Sequence, residues 1–171
     1  MNNLIRKSKK GDIDAFFQLI EKHKAPMYRA CKSILNNEHD IADAMQEAVI
    51  SAYKNIKSLK DEGYFKTWLT RILINKCKDI IAKNKEVLCL DDYIEASYTQ
   101  EFLTEFELDE LLGDLSKEQR LVISLYYISE LNTREISEIL REPEGTIKSR
   151  LSRAKGKVKA TYLQREEMNN A

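Results

Sequence analysis

Turn-forming residues are scarce in this sequence, which has five glycines and two prolines among 171 residues. A strand-rich fold needs many tight turns, so this scarcity disfavours a β-sandwich or a barrel. No run approaches the ~20 apolar residues of a transmembrane helix. The first residues include Arg6 and Lys7 but no hydrophobic segment behind them, unlike a signal peptide. We therefore expect an all-α protein in the cytoplasm.

Cysteine and histidine are also rare, and their spacing argues against a metal site or a disulfide framework. The three cysteines form no CxxC pair, and an odd number does not suit a set of disulfides. Cys31 and Cys77 occupy apolar helical positions and are predicted to be core residues. His23 and His39 have no ligand spacing around them and are predicted to lie at the surface. We expect no metal and no other cofactor.

The sequence has no net excess of either charge, since 28 basic residues balance 28 acidic ones. The balance conceals a segregation. Residues 87–114 contain nine acidic residues and no Lys or Arg, residues 146–165 contain seven basic residues and no acid, and residues 66–85 contain six basic residues and one acid. A single basic run is usually a solvated helix face. Two of them, each beside an apolar stripe, favour contact with nucleic acid.

Apolar residues recur at helical spacing through the first half of the chain. A first helix is predicted from Asp12, as N-cap, to Lys22, and a second over 26–35. The third and fourth have the longest stripes, which consist of Ile41, Ala44, Met45, Ala48, Val49, Ala52, Tyr53 and Ile56, and of Phe65, Trp68, Leu69, Ile72, Leu73, Cys77, Ile80 and Ile81. These patterns predict a four-helix bundle over residues 1–85.

The periodicity fades where the acidic residues begin, which predicts a flexible acidic linker over 86–104 and a second helical domain over 105–171. Apolar spacing resumes at Phe102. Ser116 and Gln119 form a capping-box pattern before another helix, and Asn132 or Thr133 is suited to cap the next one.

A helix-turn-helix is predicted over residues 133–159. Arg141 to Gly145 form a turn with Pro and Gly, after which the next helix turns Ile147, Leu151, Ala154 and Val158 to one side. This arrangement would place the second helix in the major groove, where Lys, Arg and Ser reach base edges and further basic residues reach phosphates. On periodicity alone, a helical hairpin with a solvated basic face is about equally good. The candidate DNA contacts are Thr146, Lys148, Ser149, Arg150, Ser152, Arg153, Lys155 and Lys157.

The segment Pro143-x-Gly145-Thr146-Ile147-Lys148-Ser149-Arg150-Leu151-x-Arg153-Ala154 resembles the promoter −35-reading segment of sigma-70-family sigma factors, most closely the extracytoplasmic-function group. LuxR-type response regulators have a broadly similar helix-turn-helix, so this half alone does not decide. The sequence departs from the family at Arg141, where members usually have Gly. A non-Gly residue in a left-handed cap is strained but tolerable.

The third helix decides in favour of a sigma factor. Its segment Asp40-x-x-Asp43-x-x-Gln46-Glu47-Ala48 resembles the one with which these factors hold the coiled coil of the polymerase β′ subunit. The resemblance and the outward-facing positions assign Asp40, Asp43, Gln46, Glu47 and Ile50 to core polymerase binding. A merely solvated face is the better interpretation of Asp40 and Lys54 taken individually. A carboxylate metal site is the other alternative, but no matching Glu-x-x-His is present.

The fourth helix begins with Phe65-Lys66-Thr67-Trp68-Leu69-Thr70-Arg71-Ile72-x-x-Asn75-x-x-x-Asp79, which resembles the −10-reading segment of the family. In that family, a loop and the basic helix after it catch unstacked bases; here the loop is 56–64. Tyr64 and Phe65 are candidates for stacking on a base, although core packing is the alternative for Phe65 and the better interpretation of Trp68. The candidate −10 contacts are Lys60, Tyr64, Phe65, Lys66, Arg71, Asn75 and Lys78.

The resemblance implies a transcription initiation factor with no catalysis of its own. It would bind core RNA polymerase through the β′ coiled coil and the β flap, and recognise promoter DNA at the −10 and −35 elements. An anti-sigma factor, often membrane-bound in this family, would restrain it, and the free chain would be a monomer. The runner-up is a LuxR-like transcriptional regulator, which would bind duplex DNA as a dimer.

Overall fold

The structure is a computed structural model that describes the backbone of residues 1–88 and 115–169 and the side chains of residues 1–84 and 115–164. The chain divides into two compact units, Met1–Glu95 and Ala96–Ala171. The division falls within the predicted linker 86–104. That linker, apart from residues 86–88, and the periodic segment that begins at Phe102 lie outside the described residues.

Four α-helices lie in the described part of the first unit: α1 (Asn2–Lys9), α2 (Ile13–Lys32), α3 (Glu38–Asn55) and α4 (Phe65–Leu88). Gly11 has φ +96°, a left-handed conformation that suits the sharp turn between α1 and α2. Asp12 caps α2 as predicted, since its carboxylate accepts a hydrogen bond from the Ala15 backbone N–H at 2.9 Å. The carbonyl of the Asn37 side chain caps α3 in the same way.

One prediction about the helices of this unit is wrong, and one of the helices was not predicted. Helix α1 was not predicted, because Leu4 and Ile5 are its only apolar residues and two adjacent residues form no helical stripe. The predicted helices 12–22 and 26–35 are one continuous helix, α2, which contains Pro26. Proline removes one backbone hydrogen bond, but Leu19, Met27 and Ala30 lie on one buried side across it. Because residues before and after Pro26 are buried on the same face, their packing offsets the lost hydrogen bond and keeps the helix continuous.

The core of the first unit lies where α2, α3 and α4 meet. Small side chains on α3, namely Ala44, Ala48 and Ala52, are fully buried and allow its neighbours to approach closely. Large side chains fill the remaining space, among them Phe16, Leu19, Ile41, Phe65, Leu69 and Leu73. The predicted inward stripes of α3 and α4 are confirmed at nine positions, which are buried: Ile41, Ala44, Ala48, Ala52, Ile56, Phe65, Leu69, Leu73 and Cys77. Six others are only half-buried, namely Met45, Val49, Trp68, Ile72, Ile80 and Ile81, and Tyr53 is 41% exposed.

Three further residues of this core carry polar or sulfur atoms. Cys31 on α2 and Cys77 on α4 are core residues as predicted, with their sulfur atoms 3.5 Å apart as free thiols. The hydrogen bond to Cys77 and the burial raise the pKa of the Cys31 thiol far above its ordinary value. The prediction that His23 lies at the surface is wrong. His23 is buried, with Nδ1 2.8 Å from the Leu19 carbonyl oxygen and its ring edge-on to Phe65.

Three helices form the second unit in its described part: α5 (Lys117–Ile123), which ends in a π-turn over Ser124–Ile128, α6 (Thr133–Leu140) and α7 (Glu144–Asn169). Capping boxes begin two of them. Ser116 and Gln119 form the predicted one, and Asn132 with Glu135 forms the other. The core contains Val122, Leu125, Leu131, Ile136, Ile139, Ile147, Leu151 and Ala154. None of the helices in the described residues is long and apolar enough to span a membrane.

The turn between α6 and α7 has the left-handed geometry expected at Arg141, with φ 59° and ψ 43°. The Ser137 carbonyl accepts the backbone N–H of Arg141 and that of Glu142. The Ser137 hydroxyl in turn donates to the Glu142 carbonyl at 2.6 Å. These bonds satisfy the end of α6 and hold a conformation that a non-Gly residue adopts only at some cost.

Replacing Arg141 by glycine should therefore stabilise the second unit. The Arg141 side chain is exposed, and glycine removes the strain of the left-handed backbone. We expect Arg141→Gly to raise the free energy of unfolding by about 0.5–1 kcal/mol. Thermal unfolding followed by circular dichroism measures the change. An unchanged or lower midpoint would show that the turn is not strained.

Candidate DNA and polymerase interfaces

Helix α7 buries one side and exposes the other. Ile147, Leu151 and Ala154 are at most 5% exposed, and they pack in the core with α5 and α6. Because these positions are three and four residues apart, the residues between them must face outward. The exposed candidates are Thr146, Lys148, Ser149, Ser152, Arg153, Lys155 and Lys157. The structure thus leaves seven of the eight predicted −35 contacts exposed on the sides of α7 that face away from the core.

The eighth candidate, Arg150, has a different position. Its guanidinium binds both carboxylate oxygens of Glu142, at 3.1 and 2.8 Å. The Arg150 side chain is only 22% exposed. It joins α7 to the turn before it, so the structure gives Arg150 a contact that stabilises the turn, and its contact with DNA stays a prediction. Sequence spacing placed it correctly on α7 but did not reveal its partner.

A second carboxylate, Glu144, binds two groups at the start of α7. Its Oε1 accepts a hydrogen bond from the Thr133 hydroxyl at 2.7 Å and lies 2.9 Å from Lys148 Nζ. Thr133 is the first residue of α6, so this carboxylate links α6 and α7, the two helices of the helix-turn-helix. The bonds from Thr133 and Lys148 lower the pKa of Glu144.

Lys155 is held by two aromatic rings that sequence reasoning did not connect with it. Its Nζ lies 5.0 Å from the ring centroid of Tyr126 and 5.3 Å from that of Tyr127. Such cation–π contacts keep the ammonium at a defined place on the surface. The tyrosines follow α5, nearly thirty residues earlier in the chain, and no local spacing pattern indicates the pairing.

Helix α3 presents the predicted polar surface with an apolar residue in it. Asp43, Gln46, Glu47 and Ile50 are exposed, and Ile50 is 47% exposed. Glu47 pairs with Lys76 of α4 at 3.1 Å. A shallow concavity lies beside them, lined by Glu47, Ile50, Ser51, Lys54, Asn55 and Lys76. Sequence reasoning missed Lys76, because it lies on another helix.

Asp40 differs from the other members of the α3 set. It is half-buried, and its carboxylate accepts a hydrogen bond from the Asn84 side chain of α4 at 2.9 Å. Part of its hydrogen-bonding capacity therefore ties α3 to α4. In residues 1–88 and 115–169, no group of three His, Cys, Asp or Glu side chains lies together as a metal would need.

The loop before α4 exposes one aromatic ring and buries the next. Tyr64 is 58% exposed, so its ring can stack on a base, whereas Phe65 is fully buried between His23 and Trp68. Phe65 is thus a core residue, and we withdraw it from the −10 candidates. The loop is held by the Asp61 carboxylate, which accepts the Gly63 N–H, and by Glu62, which binds Arg6 of α1 at 3.0 Å.

The remaining −10 candidates lie on the loop and along α4. Lys60 is exposed in the loop and Lys66 is half-buried in the first turn of the helix. Arg71, Asn75 and Lys78 are exposed four and three residues apart, which places them on one face over about two turns. Trp68 is half-buried and packs near Phe65 with ring centroids 5.9 Å apart, in agreement with its predicted core role.

Comparison with known proteins agrees with this arrangement. The family model described as Sigma-70 region 2 matches residues 19–87, and the one described as Sigma-70, region 4 matches residues 105–158. The chain is 35% identical over 169 residues to the ECF RNA polymerase sigma factor SigW of Bacillus subtilis, covering 88% of this chain and 90% of that protein.

Two solved structures are also similar, each with 25% sequence identity. One is CnrH in complex with the cytosolic domain of CnrY, with a TM-score of 0.64 over 93% of this chain and 94% of that one. The other is the sigma factor RpoE in complex with the anti-sigma factor NepR from Bartonella quintana, with a TM-score of 0.69 over 86% of this chain and 96% of that one.

The chain belongs to the sigma-70 family of RNA polymerase sigma factors. Within that family it is an extracytoplasmic-function sigma factor, as its similarity to SigW over nearly the whole length indicates. Its function is that of a sigma factor, which binds core polymerase and directs transcription from promoters. The similarity does not favour the alternative of a LuxR-like regulator.

The structure separates two arginines of α7 by role, and substitutions can test the difference. Arg150→Met removes the ion pair with Glu142 and should lower the free energy of unfolding of the second unit by about 1–2 kcal/mol. Arg153→Met, at an exposed position on the same helix, should leave stability within about 0.5 kcal/mol. Thermal unfolding of both variants provides the comparison. Equal losses of stability would contradict the assignment.

Proposed function

We propose that residues 1–85 hold core polymerase and open the −10 element, while residues 105–171 read the −35 element. The intervening acidic residues form the connection, and their charge mimics nucleic acid in the RNA exit path of the polymerase. The chain performs no chemical step itself and acts in the cytoplasm as a monomer until it binds polymerase. The observation that supports this most is that α3 exposes carboxylates around Ile50 while α7 exposes basic and hydroxyl side chains, so that one helix suits a protein partner and the other suits DNA.

The polymerase contact is assigned to Asp43, Gln46, Glu47 and Ile50, with Asp40 at its edge. Exposed carboxylates and an amide around an exposed Ile50 suit a helical partner with basic and apolar side chains. The β′ coiled coil is that partner in the family. The β flap is the partner of the second unit, which lets polymerase hold both DNA-reading surfaces at fixed places along a promoter.

The −35 contacts divide by their position along α7. Lys148, Ser149, Ser152 and Arg153 lie in the first turns and are assigned to base edges, together with Thr146 at the start of the helix. Lys155 and Lys157 lie further along and are assigned to phosphates, which hold the register without reading sequence. The −10 contacts are assigned to Lys60, Tyr64, Lys66, Arg71, Asn75 and Lys78.

An anti-sigma protein is the proposed regulator. CnrH and RpoE are each solved in complex with another protein, the cytosolic domain of CnrY and the anti-sigma factor NepR. By analogy, this chain would be held inactive by a protein that covers its DNA-binding and polymerase-binding surfaces, which could itself be anchored in the membrane.

Transcription with purified components tests the proposal. The full-length chain is added to bacterial core polymerase with fragmented genomic DNA, and the 5′ ends of the transcripts are sequenced. We expect start sites that share a bipartite upstream element and that are absent with core enzyme alone. Specific binding to duplex DNA by a dimer, without new transcripts, would instead support a LuxR-like regulator.

A charge reversal on α3 tests the polymerase surface. Glu47→Lys places a cation beside Lys76 in the proposed contact, and should weaken binding to core polymerase while the chain stays folded. Pull-down with tagged core enzyme measures binding, and circular dichroism checks the fold. Lys54→Glu, at the edge of the same concavity, provides a charge change of opposite sign. Normal capture of the Glu47→Lys variant would refute the contact.

Substitutions on α7 test the division between bases and phosphates. Arg153→Ala should weaken binding by about 1–3 kcal/mol and relax preference at one base pair, if it binds a base bidentately. Lys157→Ala should weaken binding to all sequences and lower the slope of log K against log salt by about one. Holoenzyme binding to promoter DNA over a range of salt measures both. If both variants lose equal affinity for specific and scrambled DNA, α7 is not the segment that reads the −35 element.

A further inference from the structure

The contact between Glu144 and Lys148 differs from the other ion pairs within single helices that are recorded for residues 1–84 and 115–164. Its two charged groups are 2.9 Å apart, and the Glu144 side chain is 39% exposed. In the described residues, Arg134 and Glu138 are 3.7 Å apart and Lys24 and Glu21 are 3.9 Å apart, with all four side chains at least 53% exposed. Loose exposed pairs of that kind are largely solvated and contribute little.

The reason for the difference lies on the neighbouring helix. The Thr133 hydroxyl donates to the same Oε1 atom that Lys148 approaches, at 2.7 Å. The carboxylate is thereby fixed from α6 before it binds the lysine, and less side-chain freedom is lost when the pair forms. Lys148 is thus held by the Glu144 carboxylate, whose position depends on both α6 and α7.

The position of this pair on α7 gives it a consequence for DNA binding. Residues 144 and 148 occupy the first two turns of the helix, the end from which side chains reach base edges in the major groove. A lysine side chain is long and flexible, so from this place it can reach either a base edge or a phosphate. A phosphate contact is available on any DNA sequence, whereas a base contact depends on the sequence.

We propose that Glu144 is a specificity-determining positioning residue, which keeps Lys148 directed at the bases and away from the phosphates. The carboxylate holds the ammonium on the groove side, out of reach of the phosphate backbone. On the correct sequence the base acceptors then complete the coordination of Lys148. On other sequences the lysine has no good partner except Glu144, and the complex gains nothing from it. This inference rests on the proposed reading of the −35 element by α7.

Glu144→Gln tests the proposal, because glutamine preserves the shape and can still accept the Thr133 hydroxyl but has no charge. Holoenzyme made with the full chain is bound to a promoter from the start-site experiment, and to the same promoter with a scrambled −35 element. The variant should bind the scrambled promoter about fivefold more tightly near 0.15 M salt, the effect of one added phosphate contact. Its salt slope there should steepen by about 0.9. Binding to the intact promoter should change less than twofold.

Two further variants separate the explanations. Glu138→Gln removes the same charge from α6 at an exposed pair and should leave the preference between the two promoters unchanged. Combining Glu144→Gln with Lys148→Gln should abolish the gain on the scrambled promoter, because the lysine is the group that moves. A gain that survives in the double variant would show simple charge repulsion by Glu144 and overturn the proposal. So would equal gains on both promoters.

The binding of wild-type holoenzyme to the two promoters distinguishes failure of this inference from failure of the proposed function. If wild-type holoenzyme does not distinguish the intact from the scrambled −35 element, the proposed reading of that element by α7 fails. If it distinguishes them and Glu144→Gln retains the same preference, only the role of Glu144 fails. Thermal unfolding of each variant shows whether the second unit is folded in the binding measurements.

Discussion

The direction of every candidate DNA contact in the second unit depends on the burial of Ile147, Leu151 and Ala154. These three side chains fix the rotation of α7 about its own axis, because removing any of them from water is favourable only when that side faces α5 and α6. A rotation of one residue, about 100°, would bury Lys148 or Ser152 instead. The apolar side of the helix therefore determines which polar side chains can reach a groove, although none of its members touches DNA.

The turn before α7 sets where the helix starts. Arg141 adopts a left-handed conformation, Ser137 binds the backbone on both sides of it, and Glu142 receives Arg150 from the following helix. Glu142 and Glu144 thus engage cations of α7 in the same short segment. One pair stabilises the junction, and the other lies at the surface where DNA is proposed to bind. Two carboxylates of the same type have different roles because their partners differ in exposure.

Much of this arrangement follows from local sequence. Helical spacing predicted the buried side of α3 and α7, and the capping pattern at Ser116 predicted the start of α5, because both depend on residues within one or two turns of each other. Contacts between distant segments could not be predicted in this way. The burial of His23, the pairing of Arg150 with Glu142 and the packing of Lys155 on Tyr126 all depend on how the elements meet. Phe65 was ambiguous for the same reason, since local spacing along one helix cannot distinguish a ring in the core from a ring at its edge.

The ion pair between Arg6 and Glu62 has a consequence for exchanging parts between relatives. It fastens α1 to the loop that carries Tyr64, yet α1 lies before residue 19, where the match to region 2 begins. A chimaera that transplants only residues 19–87 would carry the loop and leave its restraint behind. The transplanted loop would then meet whatever side chain the host protein has in the place of Arg6. The modular unit for such exchanges is therefore the whole segment from Asn2 onward, and not the region that sequence comparison delimits.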